Sequence, residues 1–277
     1  MKSWHNQIMC VHDRSNHHSS PFHKHEDYEF YLFLQGEAIL FTESQGYKLS
    51  PGDLFIIPPQ TWHRVQTYDY TIYERAYLNL PIDAILSFST ETTNLTDILP
   101  QPKNQPTILH LDSSSLLQFM RMINQIIRLK KSHDFGSDIQ INLTLIEILL
   151  LLNGFANTER TTIYVDLPPM IVNLIAYIDQ YLADDLSLTT ISEKLHLSPS
   201  YVSRSFKKFM GITLQDYITS KRIEKACEQL KEGASVQEAA HASGYENYAH
   251  FIRSFKKNIG LSPGKFQKSH KFTNKSF

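Results

Sequence analysis

Cysteine is almost absent from these 277 residues: Cys10 and Cys227 are the only two. Two thiols so far apart build neither a disulfide framework nor a cysteine-based zinc site, so the chain reads as reduced and intracellular, with the cytoplasm as its expected location. Long hydrophobic runs are missing as well. The longest, Leu145 to Leu152, is interrupted by Glu147 and falls far short of a membrane span, and no basic segment followed by an apolar stretch opens the chain, so a soluble protein is expected. Nor is there an excess of charge of one sign, since 27 Lys and Arg face 28 Asp and Glu. The balance conceals a division. Up to Pro168 there are 12 basic against 18 acidic residues, and beyond it 15 against 10. The basic C-terminal part suits a polyanion, and the acidic N-terminal part does not.

The length leaves room for two domains. Apolar and aromatic runs at Glu29–Leu34, Ala38–Thr42, Leu54–Ile57 and Tyr70–Leu80 read as strands, with turns at Gly36, Gln45-Gly46 and Pro51-Gly52. Short strands without intervening helices imply an antiparallel β-barrel or jelly roll over residues 1–105, closed by the proline-rich stretch Pro100 to Pro106. Helical spacing then appears over Leu116–Leu129 and Ile139–Phe155, giving a hairpin within 106–160. Its surplus apolar surface either covers the barrel, mediates a homodimer, or does both. The polar stretch Asn157 to Thr162 and the break at Leu167-Pro168-Pro169 read as a linker, placed at 161–168, ahead of a helical domain at 169–277. The fold class is α+β, in two domains.

An internal repeat dominates that last domain. Arg204-Ser205-Phe206-Lys207-Lys208 recurs as Arg253-Ser254-Phe255-Lys256-Lys257, and a glycine follows each copy at the same distance, Gly211 and Gly260. Each copy closes a helix-turn-helix unit. In the first unit Ser187 caps a helix through Leu195, and after a turn at His196-Leu197-Ser198, Pro199 opens a helix to about Phe209. In the second, Ser235 caps a helix through Ala242, Gly244 turns the chain, and a helix follows from about Asn247 to Asn258. A connecting helix, Leu214–Lys231, buries Tyr217, Ile218, Ile223, Ala226, Cys227 and Leu230 and holds the two units at fixed separation. This suits DNA, whose major groove returns on one face every ~34 Å.

Residues 170–270 resemble the DNA-binding domain of the AraC/XylS family of transcription regulators. The resemblance is carried by Ser-Pro-Ser-Tyr-Val-Ser-Arg-Ser-Phe-Lys-Lys at the first recognition helix, Ala-Ser-Gly-Tyr-Glu-Asn at the second turn, and Gly260-Leu261-Ser262-Pro263-Gly264-Lys265-Phe266. Ser192 and His241-Ala242-Ser243 depart from the family pattern. With Val202, Phe206 and Phe209 turned to the core, Ser200, Ser203 and Arg204 face outward, and the family's base-reading positions fall on these three. On the second helix the matching face is Tyr248, Ala249, His250 and Arg253, with Phe251 and Phe255 inside. Arg204 and Arg253 suit guanine edges, whereas Lys207, Lys208, Lys256 and Lys257 suit phosphates. The resemblance implies double-stranded DNA, a small-molecule effector and RNA polymerase as partners, a homodimer, and no enzymatic activity.

His23-x-His25-x-x-x-Glu29, followed by Gly36, and Pro51-Gly52-Asp53 leading to Pro58 and His63 resemble the two motifs of a cupin, apart from Gln60, where glycine is usual. The resemblance places candidate ligands at His23, His25, Glu29 and His63. Three imidazoles and a carboxylate suit a divalent transition metal, Zn, Fe, Ni or Mn. The same residues also suit a metal-free pocket for a sugar or another small metabolite, the preferred reading, with Phe30, Tyr31, Phe33, Phe55, Trp62, Tyr73 and Tyr77 as its aromatic lining. His17-His18 reads as a polar loop. The leading expectation is a ligand-responsive transcription regulator. A cupin metalloenzyme fused to a DNA-binding domain and a metal sensor using the same four residues are the alternatives.

Overall fold

The computed structural model describes residues 4–15, 22–67, 72–102, 104–132, 134–155 and 163–271, and the chain divides into two compact units, Met1–Asp166 and Leu167–Phe277. His17-His18, the start of the expected strand at Tyr70, and the stretch from Asn157 to Thr162 lie outside the described residues.

The first unit runs β1 (Met9–Ser15), β2 (Tyr28–Gln35), β3 (Ala38–Thr42), β4 (Gly46–Lys48), β5 (Asp53–Ile57), β6 (His63–Thr67), β7 (Tyr73–Leu80), α1 (Ile82–Phe88), β8 (Thr107–His110), α2 (Ser113–Leu129), α3 (Ser137–Asn153) and β9 (Tyr164–Val165). Two antiparallel sheets result, ordered β1-β7-β2-β5-β8 and β6-β3-β4-β9.

Side chains alternate across a strand, and the larger sheet uses both faces. Tyr31 and Phe33 of β2, Phe55 and Ile57 of β5 and Tyr73 of β7 meet Leu40, Tyr47 and Val65 of the smaller sheet, forming the barrel core. Their neighbours Phe30, Leu32, Leu54, Ile56, Ala76 and Leu78 point the other way, into a second core completed by Ile85 of α1, Phe119, Ile123 and Ile126 of α2, and Ile141, Leu145 and Ile148 of α3. Burying one such aliphatic or aromatic side chain stabilises by roughly 1.5–3 kcal/mol. This second core corrects two expectations. Phe30 packs against the helices rather than lining the barrel. The barrel does not close at residue 105 either, because β8 pairs with β5 and the hairpin shares the sheet's core.

Helix α2 begins earlier than its apolar spacing indicates, because Asp112 accepts the amide of Ser115 and Ser113–Ser115 form the first turn. Helix α3 is apolar nearly all round. One side supplies the core, and the other leaves Ile139, Leu143 and Leu150 more than half exposed.

The second unit is helical: α4 (Pro169–Gln180), α5 (Leu188–Leu195), α6 (Pro199–Met210), α7 (Leu214–Lys231), α8 (Val236–Ala242), α9 (Tyr248–Ile259) and α10 (Pro263–Lys271). Side-chain caps start five of these helices: Ser187, Ser198, Thr213, Asn247 and Ser235, the last closing a full capping box with Glu238. Helix α7 serves two cores. Tyr217 lies against Phe206 of α6, with ring centroids 5.4 Å apart, while Ile223, Ala226 and Leu230 join Ala239, Ala240, Tyr245, Phe251, Phe255 and Phe266. Cys227, expected inside, is only half-buried. Helix α4 was not among the sequence expectations.

Candidate DNA interface and effector site

Helices α6 and α9 carry the repeat in the same register. Val202, Phe206 and Met210 are buried on α6 and Phe251 and Phe255 on α9, so Arg204 and Arg253 stand exposed opposite them. Ser200, Ala249 and His250 are exposed beside the arginines, near each helix N-terminus, and Lys207, Lys208, Lys256 and Lys257 are exposed toward the C-terminus. Ser203 is half-buried, at the border between the core face and the outward face, because its position lies a fraction of a turn from Val202 and Phe206. Tyr248 is exposed as expected. Sequence reasoning passed over Tyr201, 47 % exposed next to Ser200. The repeat register could have found it, since it aligns Tyr201 with His250.

A residue that sequence reasoning also missed joins the two helix-turn-helix units. Arg222 of α7 donates Nε–H to the carbonyl of Leu182 at 3.0 Å and an Nη to the carbonyl of Asp184 at 2.6 Å. The same guanidinium lies over the ring of Tyr245, 5.9 Å from its centroid. Gly244 lets the chain approach that loop: its φ is +79°, and a Cβ there would stand 2.8 Å from the Leu182 carbonyl. One cation thus ties the loop ahead of the first helix-turn-helix to the turn of the second.

The cupin-like motifs meet at the N-terminal end of β6. His23 and His63 exchange backbone hydrogen bonds at 3.0 and 2.9 Å, and Gln60 donates its amide to the carbonyl of His25 at 2.9 Å. Gln60 holds the left-handed conformation, φ +64°, that glycine adopts freely, so the turn survives the departure from the usual residue. Glu29 is odd-numbered like Tyr31 and Phe33 and therefore enters the barrel, where it is buried. Its Oε2 lies 2.8 Å from His25 Nε2 and 3.3 Å from His63 Nε2. Burial alone would raise the Glu29 carboxyl, but the hydrogen bond from His25 and the charge of the two imidazoles prevail and hold it well below the usual range. Burial would likewise lower His25, and its bonds to Glu29 and to the Asp27 carbonyl raise it instead.

This donor set fits a divalent metal. Ligand atoms of His23, Glu29 and His63 lie within 4.8 Å of one another. His63 donates Nδ1–H to the Thr61 carbonyl at 2.8 Å, leaving an Nε2 that is buried and makes no well-formed hydrogen bond. A backbone carbonyl that fixes one ring nitrogen so that the other faces a common point is the usual support of a metal-ligating histidine. Of the four expected residues the structure draws three into this triangle, and His25 instead partners Glu29. Deeper in the barrel Tyr31 and Tyr73 share a hydrogen bond between their hydroxyls. Trp62, expected in the lining, is buried outside the barrel core, beneath Lys24.

Among known proteins, a family model described as the AraC-like ligand binding domain matches residues 5–149, and one described as a helix-turn-helix domain matches 191–269. An uncharacterized HTH-type transcriptional regulator, YfiF of Bacillus subtilis, is 23% identical over 264 residues, 93% of this chain and 82% of its own. The HTH-type transcriptional activator RhaS of Escherichia coli is 24% identical over 253 residues, 88% of this chain and 86% of its own. Among solved structures, ToxT from Vibrio cholerae is 12% identical, spanning 94% of this chain and 98% of that one, with a TM-score of 0.40.

Two outcomes are expected. Arg204→Ala should cost on the order of 1–3 kcal/mol on a specific site and much less on scrambled DNA, whereas Lys207→Ala should weaken both alike and reduce the salt slope by about one. Competition binding at several salt concentrations separates the two, and equal losses on both duplexes for Arg204→Ala would remove base reading from that residue. Arg222→Ala should weaken a two-groove site roughly tenfold, as expected for lost charge-assisted hydrogen bonds. It should also shrink the penalty for inserting one base pair between the half-sites, because a loosened pair of reading helices adapts to the new spacing. An unchanged insertion penalty would show that Arg222 does not set the separation.

Proposed function

The chain belongs to the AraC family of ligand-responsive, DNA-binding transcription regulators, and from that premise we propose a division of labour among its residues. The observation that carries it is the pair of helix faces on α6 and α9, alike in register and rich in exposed cations. Arg204 and Arg253, flanked by Ser200, Ser203, Tyr248 and His250, read base edges in successive major grooves, and the four lysines hold phosphates. The barrel receives the effector, a carbohydrate or another small metabolite, near His23, His25, Glu29 and His63. Bound at a promoter, the protein meets RNA polymerase and acts in the cytoplasm without catalysing a reaction of its own. No helix among the described residues is long and apolar enough to cross a membrane.

The convergence of His23, Glu29 and His63 favours a second reading, in which a divalent ion is part of the sensor. Those three residues would hold it, and it would supply a Lewis-acidic point for an oxygen of the effector. His25 would then keep Glu29 oriented.

A second copy of the chain is the proposed occupant of the outer face of α3. Ile139, Leu143, Ile146 and Leu150 recur at the alternating four- and three-residue spacing of a helix–helix seam, and a second α3 offers the same stripe in return.

The function is tested by binding to DNA from the protein's own locus. Affinity should fall steeply as salt rises, and it should respond to a metabolite in the purified full chain, with the response abolished by chelation only if the ion reading holds. Salt-insensitive binding would count against the assignment of the lysines to phosphates. For the dimer, sedimentation should give two copies at roughly 10–50 μM, a useful range for a weak dimer. The double variant Leu143→Asp, Leu150→Asp should sediment as a monomer under the same conditions. A monomeric parent at those concentrations refutes the seam.

A further inference from the structure

Strand β7 carries a cation into the barrel that neither the metal triangle nor the DNA interface employs. Tyr73 belongs to the barrel core and Tyr77 packs against it, while Ala76, Leu78 and Leu80 face the helices, so Arg75 and Asn79 share the barrel side. The pairing register agrees, setting Arg75 opposite Phe33 and Asn79 opposite Glu29. The guanidinium lies 5.1 Å from the ring centroid of Tyr77 and 5.9 Å from that of Tyr73. Asp13 stands across from Arg75 on β1, yet among the described residues no carboxylate comes within ion-pairing distance of the guanidinium, which turns to the tyrosine rings instead. The tyrosines do not neutralise it. Burial pushes the Tyr73 hydroxyl up to about 12 despite the neighbouring guanidinium, so it remains uncharged.

Two polar atoms on this wall are buried without a hydrogen bond, Arg75 Nε and Asn79 Oδ1. An unpaired donor and an unpaired acceptor inside a protein are costly, and each wants a complement. The donor belongs to a permanent cation whose planar fork matches two oxygens of one acid group. The acceptor sits four residues further along the same strand, roughly 13 Å of backbone, with Tyr77 between the two positions.

We infer that the barrel holds an anion site at Arg75, and that the effector is a small acid whose carboxylate or phosphate pairs with that guanidinium while a hydroxyl or amine of the same molecule donates to Asn79. The tyrosine rings flank the path between the two. The inference rests on the barrel being the effector site and narrows that reading from small metabolites in general to acidic ones bearing a hydrogen-bond donor.

Side-chain 15N spectra of arginine-labelled full-length protein test it, with the Arg75 Nε resonance assigned by its loss in Arg75→Gln. Sodium acetate and inorganic phosphate are titrated separately, against sodium chloride at matched ionic strength. The Arg75 resonance should move saturably with one or both anions, with half-saturation on the order of 1–10 mM, as suits a few charge-assisted hydrogen bonds. Saturation with acetate alone assigns a carboxylate and with phosphate alone a phosphoryl group. A resonance that moves no more than in chloride overturns the anion site. DNA binding measured in the same solutions separates the underlying reading. If the resonance saturates while DNA affinity responds to neither those anions nor hydroxylated acids containing the same group, the anion site stands and the barrel's role as effector switch falls. If Arg75 stays silent while a neutral metabolite changes DNA affinity, the acidic effector falls and the barrel reading stands.

Discussion

The arrangement of the first unit follows from strand β2 having no face to give to water. Its even-numbered residues, Phe30 and Leu32, complete a core with α1, α2 and α3, and its odd-numbered residues, Tyr31 and Phe33, fill the barrel. A slip of one residue would exchange every side chain between two apolar compartments of different shape, so the register is held from both sides. Glu29 is carried along by that parity. A carboxylate at the start of such a strand is buried with it, and the histidines brought together by the His23–His63 pairing meet it there. The polar cluster is therefore a consequence of apolar packing on both sides of β2.

In the second unit the corresponding constraint is a single helix shared by two cores. Helix α7 gives Tyr217 to one helix-turn-helix and Ile223, Ala226 and Leu230 to the other, and so acts as the common wall of both. A shared helix fixes where each core begins but leaves rotation about its axis free to vary. Arg222 and the close approach at Gly244 remove that freedom by joining loop to turn across the helix. Packing on one helix and directed hydrogen bonds across it together position the two units.

The sequence was most legible where local chemistry decides the outcome. Caps at Ser187 and Ser235, the connector α7 and the outward arginines could all be read from spacing and residue type. Strands β1 and β6 escaped because their residues, such as His12, Asp13, Arg14, Arg64 and Gln66, mix charge with apolar positions, and only pairing with β7 and β3 makes them strands. Phe30 was misassigned because an aromatic run does not disclose which of two cores each residue faces. Of the cupin-like set, the identities of all four residues were legible, but the grouping of His23, Glu29 and His63 apart from His25 depends on backbone pairing across forty residues of chain. Arg222 could not have been found from sequence at all, since its partners are backbone carbonyls and carry no residue signal.

The repeat that makes α6 and α9 alike in their cores leaves them unlike at the tips. Ser200 and Tyr201 lead one helix where Ala249 and His250 lead the other, around arginines in the same register. Two unlike tips joined in one order by one rigid helix have a beginning and an end. A single chain laid along a duplex therefore has polarity: turned end for end on the same base pairs, it presents the wrong tip to each groove. Strand direction, which a symmetric pair of identical heads could not perceive, becomes part of what this protein distinguishes.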